Sequence, residues 1–135
     1  MLPDILLLLF LAGAAVTDIL DRRISIPYTC AFALSGVILS VTEARPAPDI
    51  CLALIPGAAL LAASFFSGGA VGCGDGLVLL TAACFAGFGR TVLLTAAAFI
   101  LASAGAAVIL IRRGGRNCSF PFVPFILAAW VILIL

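Results

Sequence analysis

The sequence predicts an all-α, polytopic membrane protein with about six transmembrane helices. Composition is the first ground: 65% of the 135 residues are apolar, only 10% are charged and the mean hydropathy is +1.38, whereas about 25% charged is ordinary for a soluble domain. The second is punctuation, because charges, prolines and glycines fall at intervals that cut the chain into six apolar segments. The third is the brevity of everything between them, which leaves no stretch for a soluble domain. Residues 1–135 are therefore expected to form a single membrane-embedded domain.

The first segment, Ile5–Thr17, is preceded by no positive charge and followed by more hydrophobic runs, so it reads as a retained helix and not as a signal peptide. The second, Tyr28–Val41, begins after Arg22, Arg23 and Pro27. The loop Glu43–Asp49, with Pro46 and Pro48, precedes the third, Ile50–Phe66. A glycine patch, Gly68, Gly69, Gly72, Gly74 and Gly76, leads into the fourth, Gly76–Phe88, and the turn at Gly89-Arg90 separates that from the fifth, Thr91–Ile111. Arg112, Arg113, Arg116 and Pro121 precede the sixth, Phe122–Leu135. Several segments fall short of the ~20 residues of a full crossing and must absorb flanking sequence. The first then runs past Asp18 and the fourth starts near Ala70, which puts Asp18 and Asp75 inside helix ends.

Arginine placement orients the spans. Loops after the first, third and fifth segments hold Arg22, Arg23, Arg112, Arg113 and Arg116, and those after the second and fourth hold Arg45 and Arg90. The positive-inside rule assigns the first set to the cytoplasm, with the Glu43–Asp49 loop, the Gly89-Arg90 turn and both termini outside. Asp18 ends its span at the cytoplasmic face and Asp75 begins its span there, so the two carboxylates are expected at one depth.

Composition also removes chemistries. The chain has no histidine and no lysine, and hence neither the commonest general base and zinc ligand nor a lysine nucleophile. The seven arginines sit in short loops and form no stripe, which disfavours nucleic acid. Cys30, Cys51, Cys73, Cys84 and Cys118 are odd in number with no CxxC pair, so no zinc site or disulfide framework follows, and most are expected to pack as small apolar residues. No metal or cofactor is expected. Asp4 and Asp49 each follow a proline at the outer end of a segment and suit helix N-caps. Asp21 lies three residues beyond Asp18, beside Arg22 and Arg23, as a solvated surface charge or as a contact that tunes Asp18 or meets substrate.

An ionisable group near a bilayer interior costs roughly 2.5–3.5 kcal/mol on insertion scales, so two that converge on one depth are functional candidates. Two nearby aspartates cannot both ionise easily; sharing one proton, they can activate water with one carboxylate and donate from the other, the requirement for metal-free amide hydrolysis. Gly72-Cys73-Gly74-Asp75 adds glycines whose backbone permits positive φ and close approach of an extended peptide. Taken alone, this Gly-x-Gly-Asp is equally a plain inter-helix loop in which Asp75 caps the fourth helix. Asp18 and Asp75 are the catalytic candidates, and Gly72 and Gly74 the substrate-backbone candidates.

These residues resemble the type IV prepilin peptidase family of aspartyl membrane proteases. The likeness rests on Ala15–Ile24, similar to the family's first-aspartate motif, on Gly72-Cys73-Gly74-Asp75, which matches the second, and on Phe120-Pro121-Phe122-Val123-Pro124-Phe125, similar to the start of the family's final helix. With its small size the chain is similar to the short members, including those of tight-adherence pilus systems, that lack a separate N-terminal cytoplasmic domain. Ser25 and Ile26 stand where the family has proline and asparagine, and Leu77 where it usually has lysine. The resemblance implies a multi-pass protein of the plasma (inner) membrane, in contact with lipid, whose substrate is a prepilin-like protein with a short basic leader cleaved at the cytoplasmic boundary. Two alternatives stay beside it: a small proton- or ion-coupled transporter using the two aspartates at a broken helix, and a catalytically inactive relative acting in pilus or secretion-system assembly.

Overall fold

A computed structural model describes residues 2–21, 24–68, 72–113 and 121–135. Arg22, Arg23, Gly69, Ala70, Arg116, Cys118 and Phe120, with the side chain of Arg113, lie outside the described residues. Those described are all-helical, without a strand: α1 (Leu2–Asp21), α2 (Ile26–Thr42), α3 (Ala47–Ala53), α4 (Ile55–Phe66), α5 (Cys73–Ala86), α6 (Phe88–Arg113) and α7 (Val123–Ile134). α3 and α4 form one interrupted rod that covers the expected third segment and begins before it, at Ala47, in residues expected to be loop. Pro56 has no amide to donate, so the ladder lapses at Leu54 and resumes where Ala58 N–H meets Leu54 O at 2.9 Å. Three helices, α1, the α3–α4 rod and α6, are long and apolar enough to cross a membrane, and α2, α5 and α7 are shorter apolar helices.

Two expectations at helix ends are corrected. The reversal expected at Gly89-Arg90 occurs at Gly87, whose φ of +75° ends α5 and lets α6 begin one residue later. Gly89 and Arg90 belong to the first turn of α6. Asp4 and Asp49 lie inside the first turns of α1 and α3, not at their N-caps. Asp4 pairs with Arg90 at 2.7 Å, and Asp49 Oδ1 accepts the amide of Phe88 at 3.3 Å, serving the start of α6 instead of its own helix. Each acid satisfies a neighbouring element because the reversal at Gly87 brings that element to it.

The core forms where the apolar stripe of α1, Leu7, Phe10, Leu11 and Ala14 at helical spacing, meets Val78, Leu79, Ala82 and Phe85 of α5, Leu94 and Ala98 of α6, and Val123, Ile126, Ala129 and Trp130 of α7. α5 is central, touching α1, α2, α3, α4 and α6 and burying most of its circumference. Small residues permit this. An ideal Cβ at Gly57 of α4 would lie 2.7 Å from the backbone nitrogen of Leu80, and one at Gly76 of α5 3.0 Å from that of Leu61. Ser40 Oγ of α2 donates to Cys84 O of α5 at 2.6 Å, a buried link between helices. The outer surface is apolar, with Phe65 and Phe66 86% and 87% exposed and Val16, Leu20, Ile100 and Ile111 also open. Such a surface suits lipid and not water.

Polar contacts sort the chain's ends. At one end Asp4 meets Arg90 and accepts, through its carbonyl, the indole N–H of Trp130 at 3.4 Å. Arg45 there bonds Glu43 at 2.7 Å and Phe85 O at 2.8 Å. The opposite end gathers the last turn of α1 and the first turns of α5 and α7.

Candidate functional site

α1 carries Asp18 because its helix continues past Thr17, whose hydroxyl bonds back to Ala14 O at 2.9 Å, and closes only at Asp21. Asp18 is half-buried, and Asp21 stands exposed at the helix end. α5 carries Asp75 in its first turn: Gly72 is the extended N-cap (φ −62°, ψ 120°), and the Asp75 amide returns to Gly72 O at 3.1 Å. Asp75 therefore follows the cap and does not form it, with no side-chain cap bond at this helix. The two acids face the same end of the bundle. Asp18 lies where α1 meets the start of α7, and Asp75 lies in the first turn of α5.

Neither carboxylate has a cation partner among the described residues. At the other end, by contrast, Asp4 and Glu43 meet arginines. One bond does reach Asp18. Its Oδ2 accepts the amide N–H of Val123, the first residue of α7, at 3.3 Å. The amides of a helix's first turn lack intrahelical partners and favour an anion, and the Pro124 that follows has no amide of its own. A carboxylate 105 positions away in sequence thus completes the start of α7.

The glycines work differently from the sequence expectation. Neither Gly72 nor Gly74 has a positive φ, and Gly74 and Gly76 are helical. The absent side chain at Gly72 leaves room for the Asp75 carboxylate, whose Oδ2 would be 2.8 Å from an ideal Cβ. At Gly74 the space is filled by Ile24, with Cδ1, Cγ1 and Cβ at 2.5, 3.1 and 3.3 Å from such a Cβ. The motif's spacing thus reflects crowding by side chains and not unusual backbone torsions. Gly68 is the glycine of the patch with positive φ among those described, at +62° after α4.

No family model, curated protein or solved structure matches the chain. The site has to be weighed on its own chemistry: two carboxylates, one held by a helix-terminal amide, at one end of an apolar bundle. Among the described residues no three His, Cys, Asp or Glu side chains gather as a metal would need. Cys30, Cys51 and Cys73 are free and exposed, and Cys84 is free and buried, donating to Leu80 O at 3.4 Å. Only Cys84 of these four packs as expected.

Sequence reasoning names Asp18 and Asp75 as candidates, and takes Ile24 and Val123 only as members of the motif stretches, without the contacts they make. A signal for Val123 existed, since a helix starting at a Phe-Val-Pro run on the same face as Asp18 must expose an amide there. Nothing in the sequence marks Ile24 as a neighbour of Gly74.

Proposed function

We propose that this chain is an aspartic-type membrane endopeptidase that removes the leader peptide of prepilin-like proteins at the cytoplasmic boundary of the plasma membrane. The observation that carries the reading is that Asp18, in the last turn of α1, and Asp75, in the first turn of α5, lie at the same end of the bundle without a cation partner among the described residues. Asp18 completes the start of α7, but Asp75 caps no helix, and the cost of keeping two acids at one end of apolar helices favours a chemical task for the pair.

One carboxylate takes a proton from water as the water oxygen attacks the scissile carbonyl carbon. The other, protonated, donates to the carbonyl oxygen, and collapse of the tetrahedral adduct breaks the C–N bond as the leaving nitrogen gains a proton. The full reading includes six membrane crossings, with α2, α5 and α7 as the shorter spans, and both termini outside the cytoplasm. The opposed ends of the bundle support that alternation.

The test is cleavage of a co-expressed prepilin. Asp18→Asn and Asp75→Asn should each lower processing by about a hundredfold or more while expression and detergent-solubilised monodispersity stay as in the parent. Unimpaired processing by either variant removes the two-aspartate mechanism.

A further inference from the structure

Resting on the peptidase reading, we infer that Ile24 is a positioning residue: its side chain, seated in the space left by Gly74, sets where the first turn of α5 holds Asp75 relative to Asp18. Ile24 lies between the helix that carries Asp18 and the Ser25 N-cap of α2. It is half-buried, packs against the core, and supplies all three of the atoms nearest an ideal Cβ at Gly74. Gly74 immediately precedes Asp75.

Ile24 thus presses on the helix that carries Asp75 and stands three positions after the last residue of α1. The contact falls one residue before the second acid. Rotation about χ2 can swing Cδ1 aside, but Cγ1 at 3.1 Å and Cβ at 3.3 Å cannot follow, because a β-branched side chain is stiff at χ1. A side chain at position 74 must push the start of α5 away from Ile24, and Asp75 moves with it. Gly74 is thus the seat for Ile24, a role distinct from contact with the substrate backbone.

A double-mutant cycle separates the two roles. In the parent, Gly74→Ala should lower kcat for leader cleavage by about tenfold or more with KM nearly unchanged, since a small misplacement of a reacting group suffices for such a loss. In an Ile24→Ala background, where Cγ1 and Cδ1 are gone, the same change should cost no more than about threefold. Equal losses in both backgrounds, or a loss carried by KM, would assign Gly74 to substrate contact and overturn the inference.

A second readout needs neither substrate nor activity. With the native cysteines replaced, D18C/D75C reports the approach of the two helix ends by its rate of oxidative or bis-maleimide cross-linking. G74A should slow that rate, and I24A added to G74A should restore it; a rate indifferent to G74A overturns the inference. This arm decides the role of Ile24 even for a chain that cleaves no prepilin, an outcome that would count against the peptidase reading alone.

Discussion

Gly72 and Asp75 illustrate how little space separates a permitted residue from a damaging one. Gly72 is exposed and extended, with a torsion any residue adopts, so nothing in the backbone demands glycine there. What demands it is the Asp75 carboxylate, 2.8 Å from the site of a Cβ. Gly72→Ala is expected to leave the fold intact, by circular dichroism in detergent, yet to slow leader cleavage by about tenfold through displacement of the carboxylate. Gly89→Ala is the matched control: nothing lies within 4 Å of its Cβ site, and activity should be unchanged. Both aspartates were legible in the sequence because an acid in an apolar run stands out. The reason for the glycines was not legible, since a contact between a side chain and an empty position leaves no mark on composition.

The helices themselves follow from uninterrupted apolar runs and from the prolines at the starts of α2, α3, α4 and α7, where a missing amide does no harm. Their partners do not follow. α4 and α5 pack closely because Gly57 and Gly76 face Leu80 and Leu61, and the sequence shows many small residues without saying which line a contact. Gly57→Val should lower the unfolding temperature in detergent by several degrees, in keeping with overpacking costs of roughly 1–3 kcal/mol. Backbone, not a movable side-chain tip, stands 2.7 Å from the new Cβ, so relaxation has to shift a whole helix. Gly87 differs in kind. Its positive φ makes the one-residue reversal between α5 and α6 possible, and the sequence expectation misplaced that turn by reading Gly89-Arg90 as the break.

Across the whole molecule, charge is divided between the two ends. One holds Asp4 with Arg90, Glu43 with Arg45, and Asp49 with the start of α6. The other holds Asp18 and Asp75. If the first end faces outward, as proposed, E43C in a cysteine-free background should be labelled by a membrane-impermeant maleimide in intact cells, whereas S25C, at the start of α2, should label only after permeabilisation. Labelling in the reverse pattern would invert the orientation and put the two aspartates on the outer face, away from a cytoplasmic leader.

The sequence by itself determined an all-helical, apolar chain, the existence of its segments, and the identity of the two acids at one end. Those properties are local: hydropathy, periodicity and the parity of the segments between two positions can be read without knowing any neighbour. Tertiary structure alone decided that α5 lies at the centre, that Val123 donates to Asp18, and that Ile24 occupies the gap at Gly74. These depend on which helix faces overlap. Close packing settles that overlap from the shapes of distant residues together, through contacts that no single segment encodes.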